Sequence, residues 1–293
     1  MFKGSITALV TPFKNGAVDE DAVIALCERQ IKAGTHGLVP CGTTGESATL
    51  TFEEHMRVVE LVVETAAGRV PVIAGTGSNS TSVAIQNQTR ARELGVDAGL
   101  VVAPYYNKPN PEGLYQHFKA INDAVDLPIF IYNVPGRTVI DIGVETVARI
   151  AALPHVIGIK DASSDMGRVS GHRRLIGEGF IQLSGDDPTA LGFNATGGVG
   201  MISVTSNVAP ELCAEFQEAT LADDWETARA LNDRLMLLHH ALFSSASPGP
   251  TKYAMSLLGV TSCEMRLPLT EPDEASKAAV RKAMVHAGLL AQL

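Results

Sequence analysis

Residues 128–162 read PIFIYNVPGRTVIDIGVETVARIAALPHVIGIKDA. A β-branched and aromatic run from Pro128 to Tyr132 is followed by a Pro-Gly turn at Pro135 and Gly136. A segment of helical spacing then runs from Gly143 to Ala151, and a second apolar run opens at Val156. Strand, turn, helix and strand within roughly 30 residues is one βα unit feeding the next. Neither run alternates strongly between apolar and polar residues, as expected of strands covered on both faces.

The unit recurs on either side. The other strands are read at Ser5 to Val10, Gly37 to Cys41, Val70 to Ala74, Gly99 to Ala103, Ile181 to Ser184 and Gly198 to Val204, beside Pro128 to Tyr132 and Val156 to Lys160. Helices are read between them at Asp19 to Ala33, Glu53 to Ala67, Thr81 to Leu94, Glu112 to Val125, Gly143 to Ala151, Met166 to Ile176 and Pro210 to Thr220. Pro111 and Pro210 supply the fixed φ of a first helical turn. Alternation of this kind predicts an α/β fold with a parallel sheet covered by helices, closed as a (β/α)8 TIM barrel. An open doubly wound sheet is the rival, but no G-x-G-x-x-G follows the first strand. Past residue 222 the alternation stops. Trp225 to Leu242, Pro250 to Leu258 and Glu271 to Ala291 read as helices alone. The expected organisation is therefore a barrel over 1–222 and a small C-terminal helical extension over 223–293.

A chain of 293 residues, 45% hydrophobic and 19% charged, has ample material for such a core. A net charge of −9 gives no basic footprint for nucleic acid or an anionic membrane, so a small-molecule substrate is expected. The start, MFKGSITALVTPF, has the character of neither a signal peptide nor a membrane span, and the cytoplasm is the expected compartment. Cys27, Cys41, Cys213 and Cys263 form no C-x-x-C pair, which predicts reduced thiols.

In such a barrel catalytic groups gather at the C-terminal strand ends. Those ends carry Gly42-Thr43-Thr44-Gly45-Glu46, Pro104-Tyr105-Tyr106-Asn107, Tyr132-Asn133-Val134-Pro135-Gly136-Arg137, Ile159-Lys160-Asp161 and Ser184-Gly185-Asp186-Asp187. Lys160 is the sharpest signal. It ends an apolar strand where a charged amine loses hydration, and a neutral amine is the nucleophile that forms an imine with a carbonyl. Alone, it would read as a lysine snorkelling to water from a strand end. Its company decides otherwise. Tyr132 ends the preceding strand, beside Lys160 in a barrel, with a phenol suited to proton transfer. Thr43 and Thr44 lie between glycines that leave hydroxyls and backbone N–H groups free for a carboxylate. Arg137 is placed to hold a second carboxylate bidentately. Taken singly, these are a barrel-filling aromatic, a plain turn and a surface arginine.

Other chemistries find less support. The eight histidines show no metal-ligand spacing, no G-x-S-x-G elbow is present, and Cys41 has no placed histidine partner.

The motifs Gly42 to Ser47, Pro104 to Pro109, Tyr132 to Thr138 and Gly158 to Ala162 resemble the dihydrodipicolinate synthase/N-acetylneuraminate lyase family, its synthase branch in particular. The resemblance runs in order from Gly4 to beyond Leu267. It implies condensation of pyruvate with L-aspartate 4-semialdehyde to 4-hydroxy-tetrahydrodipicolinate, on the way to diaminopimelate and lysine, without metal or organic cofactor. It implies that Lys160 forms the imine, Thr44 holds the pyruvate carboxylate, Tyr132 is the acid/base, and Thr43 links it to Tyr106. That tyrosine would come from an adjacent subunit of a homotetramer built as a dimer of dimers. Arg137 would bind the semialdehyde carboxylate, and the backbones of Gly185 and Ile202 would line the pocket.

The family's lysine-effector site falls on Ala48, Thr49, Phe52, His55, Asn79, Val83 and Tyr105. Phe52 and Val83 stand where inhibited members usually carry a histidine and a glutamate, so feedback by lysine is expected to be weak or absent. Two rival functions remain open at this point. A pyruvate-dependent sugar-acid aldolase of the N-acetylneuraminate or 2-keto-3-deoxy acid type would keep the same lysine and tyrosine. A noncatalytic carboxylate-binding barrel would need neither.

Overall fold

The computed structural model describes residues 2–291; Met1, and Gln292 and Leu293 at the end of the 223–293 extension, lie outside the described residues. Eight strands form the barrel: β1 (Gly4–Ala8), β2 (Gly37–Val39), β3 (Ile73–Gly75), β4 (Ala98–Val102), β5 (Ile129–Asn133), β6 (Val156–Asp161), β7 (Ile181–Ser184) and β8 (Gly200–Ser203). Their order is β2-β1-β8-β7-β6-β5-β4-β3, every pairing in it is parallel, and a parallel bridge between Leu38 and Val72 closes the ring. Nearly every strand residue is buried, which is why no period-two alternation shows in the sequence.

The helices between strands are α1 (Glu20–Lys32), α2 (Phe52–Ala66), α3 (Thr81–Glu93), α4 (Pro111–Ala124), α5 (Val144–Ala151), α6 (Gly167–Ile176), α7 (Ala190–Ala195) and α8 (Pro210–Leu221). Several starts are chemically marked. Thr51 and Glu54 form a reciprocal capping box on α2, and Asn110 caps α4 ahead of Pro111.

Side chains sort by strand face. Ile6, Val39, Ile73, Leu100, Phe130, Leu183 and Ile202 fill the barrel interior, whereas Val101, Ile131 and Ile159 pack outward beneath the helices. Gly158 makes room for this filling: a Cβ there would stand 2.6 Å from the Phe130 ring and 2.4 Å from the carbonyl oxygen of Ile181. Two residues on, Lys160 shares the inward face of β6 with Gly158. The opposite mouth is plugged by Phe2, edge-on to Phe130 at 5.2 Å.

Three further helices follow, α9 (Trp225–Ala241), α10 (Gly249–Leu257) and α11 (Glu274–His286). Their buried Leu235, Leu238, Met255 and Met284 share one apolar cluster with Phe216 and Cys213 of α8 and with Leu26 of α1.

The structure shifts several expected limits. β3 starts at Ile73 rather than Val70; Pro71 has no N–H for a ladder, and only its carbonyl pairs, with Leu38. The last helix begins at Glu274 rather than Glu271, because Pro272 precedes an Asp273 cap, and it ends at His286 shortly before Gly288, whose φ is +77°. A hairpin of Phe13–Lys14 with Ala17–Val18 was not anticipated, although Asn15-Gly16, both at positive φ, is its sequence signature. The Pro-Gly turn expected at Pro135 and Gly136 is a single helical turn, Pro135–Thr138, whereas helix α7 went unread. All four cysteines are free; burial pushes the Cys27 thiol up to about 12 and drives the Cys41 and Cys213 thiols higher too, so none of these three is a ready nucleophile. Among the described residues no helix is long and apolar enough to cross a membrane.

Candidate active site

The C-terminal ends of the strands surround a cavity of about 390 Å³. Lys160 and Tyr132 are partners in the β5–β6 register, so their side chains rise side by side from the barrel interior. The Lys160 ammonium lies 4.4 Å from the centre of the Tyr132 ring, and the two residues are only 5% and 6% exposed. An amine and a phenol are thus held side by side, both largely out of bulk water. Gly185 keeps space for the amine's stem, since a Cβ there would come within 3.0 Å of Lys160 Cε.

The next residues on both strands point outward and tie the site's loops together. Asp161 accepts from Arg168 Nε at 2.8 Å, Arg168 reaches Asp141 at 3.2 Å, and Asn133 Nδ2 donates to Asp141 at 2.8 Å. The Ile142 N–H donates to Asn133 Oδ1 at 3.1 Å. The loop that carries Arg137 is therefore fixed at its far end to the strand that carries Lys160.

The loop after β2 brings Thr43 and Thr44 to the same cavity. It is a double turn in which Gly45 N–H donates to the Gly42 carbonyl and Glu46 N–H to the Thr43 carbonyl, both at 3.1 Å. Thr11 Oγ1 donates to the Gly45 carbonyl at 2.7 Å. Beneath it β3 runs close: a Cβ on Gly75 would stand 2.1 Å from the Cys41 carbonyl oxygen.

Of the residues singled out from sequence, Lys160, Tyr132, Thr43, Thr44, Arg137 and Gly185 line this one cavity. Ile202 does not. It is a 1% exposed interior residue of β8, and Val204, just past the strand end, takes the place at the wall. Tyr106 also lies outside the cavity; it is 90% exposed, on a backbone at φ +71°. Four wall residues were missed altogether: Phe243, Ser245, Ala246 and Ser247, from the segment between α9 and α10. Asp186 was seen only as one of two adjacent acids. It lines the cavity, whereas Asp187 is buried and accepts from Ser203 Oγ and from the Val204 N–H.

The residues matched to an effector site differ in exposure and contacts in the single chain. Phe52, Val83 and Tyr105 are large side chains 37–41% exposed, of which only Tyr105 carries a polar group. His55 is buried with Nε2 2.8 Å from the Gly75 carbonyl oxygen, and burial holds its pKa below the ordinary value. Thr49 Oγ1 donates to the Glu46 carbonyl at 3.1 Å, and the Asn79 carbonyl accepts from Asn107 Nδ2 at 2.8 Å. Ala48 adds no polar side chain. Among the described residues no group of three His, Cys, Asp or Glu side chains is arranged to hold a metal ion.

The family model described as the dihydrodipicolinate synthetase family matches residues 1–287. A protein of Hyphomonas neptunium called 4-hydroxy-tetrahydrodipicolinate synthase is 63% identical over 291 residues, covering 99% of each chain. Among solved structures, the chloride-inhibited dihydrodipicolinate synthase of Acinetobacter baumannii, in complex with pyruvate, superposes with a TM-score of 0.97 at 43% identity, covering 99% of this chain and 100% of that one. The dihydrodipicolinate synthase of Aquifex aeolicus superposes with a TM-score of 0.96 at 44% identity, covering 98% and 99%. A match over nearly the whole length in both sequence and structure leaves one conclusion: the chain belongs to the dihydrodipicolinate synthetase family.

Proposed function

We propose that this protein condenses pyruvate with L-aspartate 4-semialdehyde to give 4-hydroxy-tetrahydrodipicolinate, a lyase-class step of lysine and diaminopimelate biosynthesis, through an imine on Lys160. The observation that carries the reading is the convergence of an amine, a phenol, a threonine pair and a guanidinium on one cavity. Each has a task in a reaction between two carboxylate-bearing carbonyl compounds.

The Lys160 amine adds to C2 of pyruvate and water leaves, giving the imine. The protonated imine draws electrons from the methyl group, which gives up a proton to form an enamine. The enamine carbon attacks the aldehyde carbon and forms the new C–C bond. The amino group of the semialdehyde then attacks C2, closes the ring and releases Lys160. Tyr132, beside the amine, carries protons in and out of these steps. Thr44 binds the pyruvate carboxylate, Thr43 passes the proton from Tyr132 towards Tyr106, and Gly185 and Val204 shape the wall. The chemistry balances with protein groups alone.

Arg137 at the entrance selects the second substrate. Arg137→Ala is expected to raise KM for the semialdehyde by roughly 10- to 150-fold, from about 1.5–3 kcal/mol of charged hydrogen bonding lost. Half-saturation by pyruvate should stay unchanged, as measured by varying each substrate in turn.

Tyr106 is nearly free in the single chain and is assigned to the site of a neighbouring subunit within a tetramer formed as a dimer of dimers. We place the division between barrel and extension at residues 222/223, and the working compartment in the cytoplasm. Phe52 and Val83 supply neither a hydrogen bond nor a charge for an amino-acid effector. Half-inhibition at submillimolar lysine in the steady-state assay would sink this expectation of weak feedback.

The direct test is pyruvate consumption with the semialdehyde set against a panel of sugar aldehydes. Turnover confined to the semialdehyde supports the reading. Turnover only with sugar aldehydes moves the protein to the aldolase branch.

A further inference from the structure

The double turn that carries Thr43 and Thr44 ends in a residue whose backbone conformation needs support from outside the turn. Glu46, one residue beyond Gly45, sits at φ 54° and ψ 35°, a left-handed conformation that a non-glycine residue keeps only where its surroundings enforce it. Glu46 does not line the cavity. Its side chain is wholly buried, 2.5 Å from the ammonium of Lys252 on α10, which is wholly buried as well. The same ammonium donates to the Glu264 carbonyl at 2.8 Å and lies 4.2 Å from the centre of the Phe13 ring. The other Glu46 oxygen accepts from the Arg266 N–H at 3.2 Å.

Arg266 extends the grip. Its guanidinium holds both Glu54 oxygens at 2.6 Å, donates to the Thr49 carbonyl at 3.0 Å and lies 4.5 Å from the Phe13 ring centre. Groups from the helical extension thus clamp the β2 loop from behind, while Phe243 and Ser245 of the same extension form part of the cavity wall. A buried ion pair adds little net stability compared with well-packed apolar side chains of the same volume, and in some proteins such a pair instead fixes a single arrangement.

We propose that Glu46 and Lys252 are positioning residues: their ion pair locks the turn at Glu46 and so sets where Thr43 and Thr44 stand relative to Lys160. The inference deepens the reading of Thr44 as the pyruvate-carboxylate site and rests on it.

The variants are Glu46→Gln, Lys252→Met and the double substitution. Each single change leaves one buried charge unpaired and risks misfolding, whereas the double change removes both charges at nearly constant volume. Two readouts are needed: amide hydrogen exchange of residues 42–49, and the pyruvate concentration giving half-maximal borohydride trapping at Lys160. The double variant is expected to keep the far-ultraviolet circular dichroism of the parent. Exchange in 42–49 should be about tenfold faster or more, and half-saturation about tenfold higher or more, because small displacements of binding groups are costly. The maximal trapped fraction should persist, since Lys160 stands on β6.

If either readout stays within about threefold of the parent, the pair serves stability alone and the inference is overturned. Should the parent itself trap no pyruvate, the proposed function falls, and exchange alone decides the clamp: faster supports it and unchanged refutes it. Glu46→Asp keeps the charge with a shorter reach, and it takes the same two measurements if the double variant does not fold.

Discussion

Replacement of Lys160 by alanine is expected to lower kcat by about 10⁴-fold or more, because no other group near the cavity can form the imine on which every later step depends. The described residues contain one lysine on the cavity wall, and it is this one. The other buried lysine, Lys252, is committed to Glu46 and the Glu264 carbonyl. Stability should change little, since the amine itself has no ion-pair partner among the described residues. A melting temperature close to that of the parent would separate loss of chemistry from loss of fold. Residual turnover within a hundredfold of the parent would exclude a covalent role for this amine.

Tyr132→Phe carries the second largest expected effect, a fall in kcat of roughly 10²- to 10⁴-fold, the range for removal of a positioned acid/base group. The ring remains, so the packing of Tyr132 against its barrel neighbours is retained and only the phenolic oxygen is lost. The fall should appear in kcat and in the rate of imine formation alike, since both need proton transfer beside Lys160. Single-turnover trapping with and without the semialdehyde resolves the two. An unchanged imine-formation rate would confine Tyr132 to the later steps.

Much of this arrangement was legible in the sequence because strand burial and strand order are local properties. The run from Val156 to Ile159 announces a doubly covered strand, and the spacing from Gly158 to Lys160 puts the amine on the face that the glycine leaves open. Parallel order then makes Tyr132 a neighbour without further assumption.

What escaped depends on chain segments far apart. Nothing near residue 243 signals that Phe243 and the serines after it will complete a cavity built by β5 and β6. The Glu46–Lys252 pair joins the barrel's second strand loop to the extension, and each residue read alone is an ordinary charged side chain. Val204, just past the end of β8, lines the cavity, two positions beyond the Ile202 that was singled out. The Asn15-Gly16 hairpin was readable and was overlooked, its strands being only two residues each.

Every proposed step depends on a covalent bond between Lys160 and pyruvate. Borohydride reduction of the protein with pyruvate, followed by peptide mapping by mass spectrometry, tests it most directly. One pyruvate-derived adduct per chain is expected, located on the peptide containing Lys160 and absent without pyruvate. Reduction that leaves this peptide unmodified, or that places the adduct on another lysine, would contradict it.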